Sequence, residues 1–211
     1  GERNIQLLAQ LLRDPSPELR ARAAHALAGL KAAGACDDLA RLLADPGGEV
    51  RAAAAAALAE IGEPSACRSI VQALARECVS DEPSAAAQAA MIAAAAVLAD
   101  GAPAEIAEAL GALPRPAASR LASALDQQGA IERWLSEGEH QARGKPLPEI
   151  LARAAELGVT RPFLEGLEST DGSVRRRAAA ALGHGHDPAA LAALGGLLTD
   201  PDGEVRAAVV E

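Results

Sequence analysis

The sequence predicts an all-α fold of stacked helix pairs, and three observations carry that prediction. The first is one phrase written four times. Asp14–Leu30 reads DPSPELRARAAHALAGL, Asp45–Ile61 reads DPGGEVRAAAAAALAEI, Ser169–Leu182 reads STDGSVRRRAAAAL, and Asp200 opens DPDGEVRAAVV. The step from Asp14 to Asp45, and again from Ser169 to Asp200, is 31 residues. Self-similarity at such a period marks units that have no core of their own and bury each other's faces. The second observation is composition: half the residues are hydrophobic, yet there is no Tyr, one Phe (Phe163) and one Trp (Trp134). Alanine and leucine therefore carry the burial, and both favour helix over strand. The third is spacing, because apolar residues in each phrase recur at three and four.

Taken in order, Ile5–Arg13 (IQLLAQLLR) reads as the second helix of a pair. Each full unit then opens on Asp-Pro or Ser-Pro, where an acid or hydroxyl can cap a helix and proline fits its first turn. A first helix, A, follows within Asp14–Leu30 and again within Asp45–Ile61, on the pattern Val/Leu-Arg-x-x-Ala-Ala-x-Ala-Leu. A glycine-bearing turn comes next, Ala32-Ala33-Gly34, Gly62-Glu63-Pro64 or Gly183-His184-Gly185, with glycine free to take the left-handed cap position. Helix B then carries Cys36, Leu39 and Leu42-Leu43, or Leu191, Leu194 and Leu197-Leu198. Cys36 and Cys67 occupy the slot of Leu191, so both are expected to be buried, unpaired thiols that pack as small hydrophobes. An odd total of three cysteines also argues against a disulfide framework.

The middle keeps the rhythm with less regular wording. Ser84–Ala99 is an alanine-rich helix A and Pro103–Leu113 its partner, stopped by Pro114 and Pro116. Ala117–Gln127 with Ala130–Ser136, and Glu149–Leu157 with Arg161–Glu168, make two weaker pairs. The segment 137–148 (EGEHQARGKPLP) is the least helical and reads as a surface loop or hinge. Twelve or thirteen helices and no sheet are expected, in one repeat domain spanning 1–211. The first element lacks a helix A and the last lacks a helix B, from which we expect a piece excised from a longer chain.

The pattern DPxxEVRxxAAxAL, a glycine turn and LxxLLxD resembles the HEAT-repeat family, in particular the short HEAT-like repeats first described in phycobilisome lyases. The match is strong over 5–75 and 169–211. The resemblance implies a right-handed α-solenoid, here of about six antiparallel helix pairs, with A helices on the convex side and B helices on the concave side. It also implies a protein-binding or regulatory scaffold.

Charge and motifs narrow the function. The net charge is −9 and is spread over both halves, whereas a sequence-independent nucleic-acid binder needs a basic face. The one basic run, Arg175-Arg176-Arg177, lies within a helix. No segment is long and apolar enough to span a bilayer and no secretory leader is visible, so the cytoplasm is the expected location. No nucleophile elbow, zinc motif or phosphate-binding loop occurs, and no catalytic, cofactor or metal residue is assigned. His184, His186 and Asp187 have metal-ligand chemistry, but they sit in an A-to-B turn where Asp187-Pro188 serves as a helix start.

Two residue sets remain. Arg20, Arg51, Arg175 and Arg206 each follow Asp14, Asp45, Ser169 and Asp200 by six residues. Stacking brings equivalent positions together, so each Arg is expected to reach an acid of the next unit and brace the array. The second set is the outward ridge of the B helices: Asp37, Asp38, Arg41, Arg68, Gln72, Glu105, Glu108, Ala192 and Gly196. If Cys36, Leu39 and Leu43 point inward, helical phase turns residues 37, 38 and 41 outward. This ridge is the expected surface for a protein partner of basic or mixed charge. The alternative is a lyase- or chaperone-like solenoid that holds a tetrapyrrole or other cofactor for transfer. That reading wants an aromatic or apolar pocket and a thiol or acid within reach of the ligand, whereas aromatics are almost absent and the cysteines map to core slots.

Overall fold

In the computed structural model the described residues, 2–137, 144–185 and 187–210, form fourteen α-helices and no strand. By Cα proximity the chain divides into two compact units, Gly1–Ala109 and Leu110–Glu211. The first holds α1 (Glu2–Leu11), α2 (Pro17–Gly29), α3 (Cys36–Leu42), α4 (Gly48–Ile61), α5 (Ala66–Cys78) and α6 (Ala85–Leu98), and the boundary falls within α7 (Pro103–Ala112). The second holds α8 (Arg115–Gln127), α9 (Ala130–Ser136), α10 (Leu147–Glu156), α11 (Arg161–Leu167), α12 (Gly172–Gly183), α13 (Pro188–Gly196) and α14 (Gly203–Val210). The count exceeds the twelve or thirteen expected. The expected segment 137–148 falls largely on 138–143, outside the described residues, as do His140 and His186. Inside that segment helix α10 already begins at Leu147, with Pro148 in its first turn, so the loop expected there ends earlier.

In the first unit the A helices α2, α4 and α6 pack side by side. Their contact surfaces are mostly alanine: Ala23, Ala24 and Ala28 on α2, Ala53–Ala55 and Ala57 on α4, and Ala94–Ala96 on α6, all buried. Small side chains let these backbones approach closely, and the larger Leu27, Leu58 and Met91 fill the space behind them. The B helices supply Leu39, Leu43, Cys67, Ile70 and Leu74 to the same core. In the second unit the core carries the chain's two aromatic rings, Trp134 and Phe163, both fully buried.

The A-to-B turns are solved in different ways. After α4, Gly62 takes the left-handed position (φ 85°) and its N–H returns to the Leu58 carbonyl at 3.1 Å. After α2 that conformation falls on Lys31 (φ 50°), not on Gly34. Gly183 stays helical and the chain leaves α12 through His184 without a left-handed residue. The capping expectation is thus met by glycine at one of the three turns.

The cysteine slot is also corrected. Cys36 and Cys67 form no disulfide, and Cys67 is buried, but Cys36 is only half-buried and Leu191 is 60% exposed. The slot faces the side on which the next pair stacks. At Cys67 that side is occupied by α7, whose Glu105 lies near the thiol; burial first, then that carboxylate, push Cys67 up to about 12. Burial is likewise the leading cause that raises Cys36, which lies near Glu63 and Asp37.

Leu39 has no exposed surface, so Leu39→Ala is expected to cost about 2–5 kcal/mol. Asp38→Ala, which removes only surface ion pairs, should cost about 1 kcal/mol or less. Urea denaturation of the two variants followed by circular dichroism measures both.

Candidate functional site

The recurring arginines form a ladder within each unit. Arg20, near the start of α2, donates from Nε and Nη2 to the two carboxylate oxygens of Asp45 at 2.7 and 2.8 Å. Its Nη1 turns back to its own entry loop, to the carbonyls of Asp14 at 2.8 Å and Pro15 at 3.0 Å. Arg175 repeats the arrangement, with Asp200 at 2.8 and 2.9 Å and the Ser169 and Thr170 carbonyls at 2.9 and 3.2 Å. A planar guanidinium with five fixed donors suits this double duty, and lysine could not reproduce it.

The acids are not helix caps in the expected sense. Asp14, Asp45 and Asp200 each sit ahead of the helix and accept the N–H two residues on, from Ser16, Gly47 and Asp202, at 2.8, 2.8 and 2.9 Å. This is the local turn that aspartate side chains favour. The caps proper are Ser16, Ser84, Asp171 and Asp187. Close stacking also explains the glycine that follows. A side chain at Gly48 would run into Ser84, and one at Gly172 would meet Asp202, each at the start of the next A helix.

The third contact departs from the repeat. Arg51 keeps its backbone bonds, to Asp45 at 2.7 Å and Pro46 at 3.0 Å, but its acid is Glu77, met by Nη2 at 2.8 Å. Glu77 also accepts the Ser84 N–H at 2.5 Å, and Arg51 Nε is buried without a partner. Glu77 escaped the sequence reading because it stands one residue off the 31-residue step and belongs to a different amino acid type. Its signal was an acid that continues the apolar spacing of Ile70, Ala73 and Leu74 along helix B.

Burial and pairing set the titration of these acids. Asp45, Glu77 and Asp200 are the buried charged side chains of the described residues. For Asp45 and Glu77, burial alone would push the carboxyl up. Hydrogen bonds from Arg20 and the Gly47 N–H, and from Arg51 and the Ser84 N–H, outweigh it and hold both below the usual carboxylate range. For Asp200 the hydrogen bond from Arg175 is the leading cause and acts in the same direction.

The ridge residues fall into two groups. Asp37, Arg41, Arg68, Gln72 and Glu108 are exposed in the first unit. Asp38 and Glu105 are half-buried, because each is drawn into an ion pair. Asp38 accepts from Arg13 at 3.1 Å and from Arg41, which links α1 to α3; Glu105 accepts from Arg68 at 2.9 Å, which links α5 to α7. The B-helix surface is thus a mixed-charge ridge with salt bridges between adjacent helices. In the second unit Ala192 and Gly196 are exposed on α13. On the A side of the first unit, a shallow groove of about 410 Å³ is floored by Ala52, Ala53 and Ala56 and edged by His25 and Glu49.

The basic run is spent internally. Arg175 holds Asp200, Arg177 bonds the Ser173 carbonyl at 3.1 Å and also the Glu137 carbonyl, and Arg176 lies 4.0 Å from Glu204. Arg161, unremarked in the sequence, gathers Asp126, Glu132 and Glu165 at 3.3–3.4 Å. Among the described residues no group of three acids, histidines or cysteines is placed to hold a metal ion. Among the described residues no helix is long and apolar enough to cross a membrane.

Paired helices, a 31-residue step and an arginine clasp between successive pairs define an all-α helical repeat protein. Residues 5–91 and 160–211, more than half of the chain, match the profile of HEAT repeats. The chain belongs to that family. No curated protein sequence matches it. Solved structures similar to it include an engineered protein (22% identity, TM-score 0.42, covering 98% of this chain and 94% of that one). Another is the complex of CpcE and CpcF of phycocyanin lyase from Nostoc sp. PCC7120 (19%, 0.45, 98% and 92%). A third is human deoxyhypusine hydroxylase in complex with glycerol (24%, 0.37, 98% and 82%).

The depressed carboxylates give a signed pH dependence. A carboxyl held low in the folded chain contributes stability above its unfolded value, near pH 4, and that contribution fades as pH falls further. The thermal midpoint is therefore expected to drop on acidification below about pH 4. Arg20→Ala should lower the midpoint at pH 7 and flatten the acid limb, because the cause of the Asp45 shift is gone. Arg22→Ala, which removes an exposed pair with Glu18, should stay within about 0.5 kcal/mol of the parent chain. Calorimetry from pH 2 to 7 checks all three.

Proposed function

We propose that the chain is a non-enzymatic protein-interaction scaffold that takes its partner on the B-helix ridge of the first unit. The observation that carries this reading is the exposed, mixed-charge surface of Asp37, Arg41, Arg68, Gln72 and Glu108 on neighbouring helices linked by the surface ion pairs Arg13–Asp38 and Arg68–Glu105. Charges on a rigid array are pre-ordered for a partner, and complementary charge sets specificity and on-rate. With a net charge of −9, the partner surface we assign is basic or mixed in charge. The exposed Ala192 and Gly196 on α13 extend the proposal to the second unit, where small residues admit a close backbone. The rings of Trp134 and Phe163 are committed to packing, which favours this scaffold over a tetrapyrrole carrier. We place the protein in the cytoplasm.

The test is a combined reversal, Asp37→Lys, Asp38→Lys and Arg41→Glu, read by binding to a partner captured on the immobilised parent chain. Binding should fall at least about tenfold with the thermal midpoint almost unmoved, and the parent on-rate should fall as salt rises. Reversal at Arg20 or Arg51 should instead lower the midpoint. Binding that ignores the B-helix reversal but disappears on changing Arg22 or His25 would move the site to the A helices and overturn the proposal.

A further inference from the structure

The charges on the B-helix ridge of the first unit are spaced as well as mixed. Asp37 on α3 and Arg68 on α5 occupy the same place in the 31-residue step, and both are exposed. On α7, buried Ile106 and Ala109 stand where Cys67 and Ile70 stand on α5. The exposed Glu108 therefore lies within one residue of the level of Arg68. Helix α3 packs against α5, and Arg68 reaches Glu105 of α7 at 2.9 Å, so the three helices are neighbours in turn. Across them one level of the ridge runs acid, base, acid. Glu105 takes only Nη2 of the Arg68 guanidinium, and the Arg68 side chain stays 64% exposed. One turn further along α5 stands the exposed Gln72.

Packed helices stand about 8–10 Å apart, axis to axis. A polyproline II segment turns once every three residues and rises about 3.1 Å per residue, so its side chains at i, i+3 and i+6 leave one face at intervals of about 9 Å. A β-strand presents the same face every second residue, at intervals of about 6.6 Å. An α-helix presents it once per turn, at about 5.4 Å. Of the three, the polyproline II period sets one facing side chain over each B helix. Such a segment also makes no hydrogen bonds within itself. Its peptide groups are free for the Gln72 amide, which carries both donors and an acceptor.

We infer that the ridge binds a polyproline II segment of a protein partner that carries a base, an acid and a base at every third residue, which meet Asp37, Arg68 and Glu108 in turn while Gln72 bonds the segment's backbone. The inference rests on the scaffold reading of this ridge and adds to it the partner's conformation and charge order. Two bases to one acid also suit a chain of net charge −9.

Fluorescence anisotropy of labelled peptides on the 211-residue chain tests it. The probe is Pro-Arg-Pro-Pro-Glu-Pro-Pro-Arg-Pro. Its controls are a peptide of the same composition with the charges at every second residue, the charge-reversed peptide, and the probe with glycine and serine in place of proline. The probe should bind at least about tenfold more tightly than the respaced and charge-reversed peptides. It should also outbind the flexible peptide, which has to be ordered on binding. Glu108→Lys should weaken the probe about tenfold with the thermal midpoint unmoved, and a probe with one arginine replaced by glutamate should recover the loss. Gln72→Ala should weaken the probe and leave the respaced peptide where it was. The inference is overturned if the probe does not bind, if the respaced peptide binds as well, or if the exchanged probe fails to recover Glu108→Lys. The scaffold reading is judged separately, by the captured partner and the reversal of Asp37, Asp38 and Arg41, so the two failures are told apart.

Discussion

The register of the regular repeats hangs on one contact, a guanidinium shared between the entry loop of its own helix pair and the carboxylate that opens the next. Alanine surfaces pack closely but are nearly featureless, and a smooth helix can slide or rotate against its neighbour at little cost. The bidentate clasp removes that freedom, because two oxygens and two nitrogens meet in one plane and one register. Its remaining nitrogen ties down the loop carbonyls that would otherwise lie exposed at the helix entrance. Burial of the acid makes the clasp obligatory: with the arginine gone, a charge is left in a site that water scarcely reaches.

The departures from regularity fall where the clasp has to adapt. Between α5 and α6 the connection is longer, and the longer acid Glu77 is recruited to reach Arg51 and the Ser84 N–H together. The substitution keeps the register at the expense of one unsatisfied nitrogen, Arg51 Nε. In the second unit, where the phrase is least regular, the packing changes character and the large rings of Trp134 and Phe163 take up volume that alanine layers fill elsewhere.

How much of this was legible follows from what each feature depends on. The helix pairs, the alanine core and the arginine step are local or strictly periodic, and they stand in the letters. Cys36, Cys67 and Leu191 share a slot yet differ in burial, because burial there depends on the particular neighbours each meets and not on the slot itself. Asp38 and Glu105 were read as outward charges, and each is half-buried. Their partial burial comes from Arg13, just past the end of α1, and Arg68 on α5, which helical phase on a single helix cannot reveal. Glu77 was hidden by a one-residue shift in the period.

The placement of the single Trp has a spectroscopic consequence. Trp134 lies sealed in the core of the second unit, and the chain has no Tyr. Its fluorescence therefore reports the opening of that unit alone, while the alanine-packed first unit melts in optical silence. An emission curve and a far-ultraviolet ellipticity curve taken on the same sample are thus separate witnesses, and any gap between their midpoints measures how far the two units unfold independently.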